Sequence, residues 1–272
     1  MKTRSVGGIL LLAVVASIAP PPGAAAQTSI EASPLRVEIQ TEPGGTHTQA
    51  VTVRNPGNQM VRVRTTVTDW HLTKDGAPQF HTPVAGRPYA ASLWTRFAPP
   101  EFTLEAGKEG TVRFTLNAPS DAQPGGYRTG LLFEFLPETP ESSGAGRQVI
   151  LRSRIATLIY VNVGQPVAAI ELTNLQVRSI AELTEIVADL KNNSRRTVRT
   201  RGTLMVYDKT GLSVAEILVP DVPVLPQSER ELAIRATDAM KPLLAGDYKV
   251  ELKLDLGMPA LVVGETTLRV AR

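Results

Sequence analysis

Arginine is the residue type whose placement in this sequence points to chemistry. Arg36 stands among apolar neighbours in Leu35-Arg36-Val37-Glu38-Ile39, a run that alternates as a strand does. A guanidinium amid such residues is costly unless it faces a cleft or meets an anion. Its planar fork matches a carboxylate. Exposure at a strand edge is the competing reading. A second arginine, Arg154, lies in the run Val149-Ile150-Leu151-Arg152-Ser153-Arg154-Ile155-Ala156-Thr157-Leu158-Ile159-Tyr160-Val161. Period two places Val149, Leu151, Ser153 and Ile155 on one face and Arg152, Arg154 and Ala156 on the other. A long strand with apolar side chains beside arginines can extend another protein's sheet, because main-chain hydrogen bonds join the strands while alternate side chains fill pockets. The same alternation fits the last strand of a sandwich whose apolar face belongs to its own core. Arg62 and Arg64 share a face of another strand, and Arg195, Arg196, Arg199 and Arg201 cluster later. These groups read as solvated strand faces that discourage edge-to-edge pairing.

Other reactive groupings are missing from the sequence. It contains no Cys, which excludes thiol catalysis, thiolate metal sites, disulfides and lipid attachment through sulfur. The three histidines, His47, His71 and His81, lack the i, i+4 spacing of a helical metal site. His71 and His81 flank one loop and could share a metal with Asp69 or Asp75, but no third ordered ligand is evident and an incidental pair is the plainer reading. No nucleophile-elbow or phosphate-loop motif occurs. The scattered acidic residues define no readable carboxylate pair, and Asn192-Asn193-Ser194 reads as a turn. The expectation is a protein without catalytic residues, metal or cofactor.

The elements that would position the arginines are strands. Residues 1–26 read as a secretory signal: Lys2 and Arg4, an apolar stretch from Ile9 to Ile18 too short for a span, then Ala24-Ala25-Ala26. Removing it leaves 27 basic against 26 acidic residues. That balance gives a nucleic-acid reading no global support. No later segment reads as a membrane anchor, so an exported, periplasmic or secreted protein is expected. Short Val/Thr/Leu runs separated by Gly, Pro, Asn and Asp turns indicate all-β sandwiches. Strands are expected near 35–39, 50–54, 61–68, 112–116, 127–135 and 149–161, with a less regular excursion over 71–92. Gly164-Gln165-Pro166 marks a boundary. A second set of strands is expected near 167–177, 184–191, 197–207, 212–219, 229–236, 246–255 and 264–271, with some helical character around 179–185 and 238–244. The predicted domains are 27–163 and 167–272.

On these residues the first half resembles the periplasmic pilus-assembly (PapD-like) chaperones. The resemblance rests on Ser33-Pro34-Leu35-Arg36-Val37, Val51-Thr52-Val53-Arg54-Asn55, Leu104-Glu105-Ala106-Gly107 followed by Val112-Arg113-Phe114, and Ser153-Arg154-Ile155. It implies two immunoglobulin-like β-sandwich domains in tandem. It further implies a last strand of the first domain that completes a pilin-like subunit's sheet, and two basic residues that hold the subunit's terminal carboxylate. Arg36 matches the first basic position, and Val149 and Leu151 match two donor positions. The third donor position falls near Arg147 and the second basic position near Ala156, with Arg154 two residues earlier on the same face. An outer-membrane assembly protein would be a further partner. A second similarity, on Val67-Thr68-Asp69-Trp70, Pro124-Gly125-Gly126-Tyr127 and Arg154 to Val161, is to poorly characterised WxL-associated exported proteins.

The expected function is a non-catalytic periplasmic chaperone that binds an exported pilus, fimbrial or related surface subunit by strand addition along 148–158. Val149, Leu151 and Ile155 would fill pockets, and Arg36 with Arg154 would hold a carboxylate. The alternative is an exported envelope scaffold or adhesion module that binds cell wall or a partner surface protein.

Overall fold

The computed structural model describes residues 30–136, 153–180, 183–235 and 243–270. Among the described residues, ten strands form the first sandwich: β1 (Glu31–Ser33), β2 (Arg36–Thr41), β3 (Thr46–Arg54), β4 (Val61–Leu72), β5 (Pro78–His81), β6 (Thr95–Ala98), β7 (Glu101–Leu104), β8 (Glu109–Asn117), β9 (Gly125–Leu136) and β10 (Arg154–Val163). One sheet runs β1-β3-β8-β6, and the other runs β2-β10-β9-β4-β5 with β7 also on β4. The alternation seen in the sequence sets the two faces. Along β2, Val37, Ile39 and Thr41 are buried while Arg36, Glu38 and Gln40 face outward. Val51, Val53, Val112, Phe114 and Leu116 from one sheet meet Val63, Leu131, Phe133, Ile159 and Val161 from the other in a fully buried core.

The first two strands belong to different sheets. β1 pairs antiparallel with β3, and β2 pairs parallel with β10. A strand this short cannot serve both sheets, so the chain crosses at Ser33-Pro34-Leu35.

The excursion after β4 is more regular than its sequence suggested. β4 runs on to Leu72 and returns antiparallel as β5, with Asp69 opposite His81 and Leu72 opposite Pro78. Thr68, Asp69 and Trp70 are all buried, so the solvated face expected for this strand is covered at its far end.

Among the described residues, nine strands form the second sandwich: β11 (Ile170–Ile180), β12 (Leu183–Asn192), β13 (Val198–Arg199), β14 (Arg201–Tyr207), β15 (Ser213–Leu218), β16 (Pro223–Val224), β17 (Ser228–Arg235), β18 (Gly246–Asp255) and β19 (Val262–Val270). Its sheets run β11-β12-β17 and β15-β14-β18-β19, beside a two-residue pairing of β13 with β16. A separate core gathers Ile186, Ala188, Leu204, Val206, Val250, Leu252 and Leu254. The architecture is all-β, as the alternation required.

Two local expectations are corrected. The helical character expected at 179–185 gives way to strand, because β11 and β12 pair from Ile170↔Asn192 to Ile180↔Leu183. Glu185 then accepts from Arg178 at 2.9 Å across that hairpin and lies 3.4 Å from Arg235 on β17. Cross-strand pairing outweighs local helix preference here. The strand expected at 197–207 breaks at Thr200. Its N–H donates to the Val222 carbonyl at 3.0 Å and its hydroxyl donates to the Pro220 carbonyl at 2.5 Å. The helical expectation for 238–244 lies, up to residue 242, outside the described residues.

Phe133 has no exposed surface, whereas Leu218 is 78% exposed. Phe133→Ala should lower unfolding free energy in urea by about 3–5 kcal/mol. Leu218→Ala should change it by less than about 0.5 kcal/mol.

Candidate functional site

The strand that carries Arg154 is paired on both sides for only part of its length. β10 pairs with β9 from Arg154↔Glu134 to Val163↔Gly125. On its other side β2 joins only from Leu158↔Arg36 onward. Leu158 N–H donates to the Leu35 carbonyl at 2.9 Å. Backbone groups alternate in direction along a strand, so Arg154 and Ala156 also aim their N–H and C=O toward that side. Among the described residues no strand pairs with them there. The Thr157 hydroxyl donates to the Pro34 carbonyl at 2.9 Å, which closes the gap just before β2. Among the described residues, β10 therefore has no partner strand on one side from Arg154 to Thr157 and is joined by β2 from Leu158.

The expected site residues distribute unevenly around this edge. Ile155 packs, partly buried, against the first sandwich's own core, so its side chain is not free to enter a partner's pocket. Arg154 is exposed and pairs with Glu134 at 3.1 Å across to β9. It lies four residues before the partner of Arg36, about 13 Å along the strand. Arg154 turns to Glu134 and Arg36 to Asp221 and Glu38, so the structure does not bring the two guanidinium groups of the expected anchor together. Val149 and Leu151 lie outside the described residues.

Arg36 sits where the edge closes. Its side chain is half exposed, and outward parity on β2 aims it at the second sandwich. Arg36 Nη1 is 3.7 Å from Asp221 Oδ2, and Nε is 3.5 Å from Glu38 Oε1. Arg199, from β13, binds the same two carboxylates. Its Nε donates to Asp221 Oδ1 at 2.5 Å, its Nη2 donates to the Asp221 carbonyl at 2.9 Å, and its Nη1 lies 3.4 Å from Glu38 Oε1. Two arginines and two carboxylates, shared between the sandwiches, thus form one cluster. Tyr160 completes it. Burial pushes its hydroxyl above the ordinary tyrosine value, while the charge of Arg199 and a hydrogen bond with it pull the other way.

Apolar and backbone contacts hold the sandwiches together around the cluster. Trp70 and Tyr160 meet edge to face at 5.1 Å and bury Leu225 of the second sandwich between them and Leu158. Trp70 Nε1 donates to the Thr129 carbonyl at 2.6 Å, and Arg128 Nε donates to the Trp70 carbonyl at 2.7 Å. Arg195 Nε donates to the Pro124 carbonyl at 2.9 Å, and its guanidinium lies 5.5 Å from the Tyr89 ring centroid. Gly126 N–H donates to the Arg195 carbonyl at 2.6 Å. A Cβ on Gly126 would come within 2.6 Å of the Thr197 backbone nitrogen, so glycine is required for this approach. On the far side the β4–β5 turn docks on β12 and β17. Glu231 N–H donates to the Lys74 carbonyl at 2.7 Å, and Lys74 Nζ lies 3.0 Å from Asp189.

The arginines expected to be solvated, Arg195 and Arg199, therefore join the two sandwiches. Thr200, the residue after Arg199, ties the 220–222 loop to this segment through its hydroxyl, a contact between positions far apart in sequence. The histidine pair does form: His71 and His81 stack at 4.9 Å, with ring nitrogens 2.8 Å apart. Burial, followed by His81, Arg128 and Arg87, lowers the His71 value. Neither expected carboxylate joins them. Asp69 accepts from Arg87 at 3.0 Å and Asp75 accepts from Thr73.

Burial alone would raise the Asp189 carboxyl, but hydrogen bonds from Lys74 and Asn174 outweigh it and hold the carboxyl below the ordinary aspartate value. A depressed acid adds stability that is present above its unfolded pKa and is lost as pH falls through the folded one. In a carboxyl NMR titration, Lys74→Ala should move the Asp189 midpoint upward. The variant should also lose less stability than wild type on acidification below about pH 4.

No known family model and no curated protein matches the sequence. Solved structures do resemble the fold. The class 5 fimbriae chaperone CfaA is 12% identical, over 87% of this chain and 98% of its own, with a TM-score of 0.45. The YadV chaperone is 14% identical over 88% and 99%, with a TM-score of 0.43. The E. coli chaperone DraB is 14% identical over 89% and 98%, with a TM-score of 0.42.

Proposed function

We propose that this chain is a non-catalytic chaperone of the bacterial envelope that binds an exported, pilin-like subunit by β-strand addition. One observation carries the reading: among the described residues β10 lacks a partner strand on one side along Arg154–Thr157 and gains β2 at Leu158, opposite Arg36. A strand laid into the opening meets backbone N–H and C=O groups that alternate toward it. It can run no farther than the start of β2. A chain that ends there, parallel to β10, places its terminal carboxylate beside the Arg36 guanidinium. Arginine is suited to that group by charge and by its forked geometry. Val149 and Leu151, upstream in the same alternation, remain assigned to the subunit's pockets, whereas Ile155 serves its own core. The periplasm is the compartment this role requires, and an outer-membrane assembly protein is the natural recipient of the subunit.

Two variants test the two halves of the proposal in affinity capture from envelope extracts, read by mass spectrometry. Ala156→Pro removes a donor aimed into the opening and leaves the bonds to β9 in place. Arg36→Ala removes the half-exposed cation at the stop. Each should retain the wild-type unfolding transition yet retain the captured subunit at least about tenfold more weakly. Equal capture by wild type and both variants would contradict strand addition on this edge.

A further inference from the structure

The outward face of the sheet that carries β10 holds a row of alternating charge. Arg154 on β10 stands opposite Glu134 on β9, Glu134 opposite Arg64 on β4, and Arg64 opposite Glu101 on β7. Arg154 Nη2 lies 3.1 Å from Glu134 Oε1, and Arg64 Nε lies 3.3 Å from Glu101 Oε2. Arg62, on the same face of β4, also pairs with Glu101. Within the row, Glu134 and Arg64 each have the opposite charge in register on both sides. At the β10 end the alternation stops. Arg154 keeps 58% of its side chain exposed and meets no strand on its other side among the described residues. The next outward row, Ala156–Leu132–Thr66, carries no charge, and Ala156 and Leu132 are half-buried.

We propose that this row selects the strand that β10 accepts: the added strand carries an acidic side chain beside Arg154 and an apolar one two residues later, beside Ala156. The inference rests on the strand-addition reading and names the chemistry of its partner. Opposite charges directly across a sheet stabilise the pairing, and like charges destabilise it. The pleat fixes side-chain parity, so the residue opposite Arg154 projects on the face of Arg154 whichever way the strand runs. An apolar neighbour beside Ala156 covers the half-buried Ala156 and Leu132. In the register that β2 sets, a parallel chain ending opposite Thr157 places its penultimate residue beside Ala156 and the residue two before that beside Arg154. A charge at an open edge also discourages indiscriminate pairing. Guarding alone asks nothing of the partner's residue, whereas the row asks for Asp or Glu and refuses Lys or Arg.

The test offers position-scanning pools of synthetic peptides, about ten residues long with free C-termini, to the immobilised full chain and reads the retained fraction by mass spectrometry. Wild type should enrich Asp and Glu at the position three before the last, at least about threefold over Lys and Arg. Arg154→Glu should invert that preference at the same position, a gain that misfolding cannot produce. Arg154→Ala should retain peptides with no preference for either sign there. Absence of a charge preference at that position in wild type, or the same acidic preference in Arg154→Glu, overturns the row and leaves strand addition standing. Retention of the wild-type pool by Ala156→Pro, or no peptide retained by wild type, removes the strand-addition reading and this inference with it.

Discussion

Backbone N–H and C=O groups at a sheet edge must find a partner or face water, and the two halves of β10 meet that demand differently. From Leu158 onward they are satisfied on both sides, by β2 and β9. Before Leu158, among the described residues, β9 alone pairs with them. The cause is the crossing at Ser33-Pro34-Leu35, which sends β1 to one sheet and delays β2 in the other. Everything proposed about binding follows from that delay. It creates an opening of strand geometry, gives it a stop, and places Arg36 at the stop.

The second sandwich completes the site. Leu225 packs with Trp70, Tyr160 and Leu158 on the outward face of the sheet that carries β10. The Arg195 carbonyl and the Lys74 carbonyl each accept a backbone N–H across the junction. With the junction held at both ends, Asp221 and Arg199 are presented to Arg36 at fixed range. An exposed ion pair alone contributes little to stability. The apolar and backbone contacts do the holding.

The parts of this arrangement differ in how visible they are in the sequence. Period two gave the inward row Val37 and Ile39 and the outward row Arg36 and Glu38, because a strand's faces depend only on local alternation. The two-sandwich class followed from turn residues and run lengths. Register was not visible. That Arg36 falls opposite Leu158, and Arg154 four residues away, is set by pairing between segments far apart in sequence. The burial of Thr68, Asp69 and Trp70 was hidden for the same reason, since the surface that covers that end includes the second sandwich. The cluster Arg195–Arg201 looked solvated because nothing local announces that the 220–222 loop returns to Thr200. Helix preference at 179–185 misled because it is weak beside a hairpin ten pairs long.

Amide hydrogen exchange at single residues tests the open edge most directly, without knowledge of the partner. Leu158 N–H, bonded to the Leu35 carbonyl, and Ala156 N–H, aimed at the same side two residues earlier, differ only in whether β2 has arrived. The account predicts that in the free protein Ala156 exchanges far faster than Leu158, and that a bound subunit slows Ala156 to the rate of Leu158. An Ala156 amide as protected as Leu158 in the free protein would mean the edge is already filled, and would contradict the account.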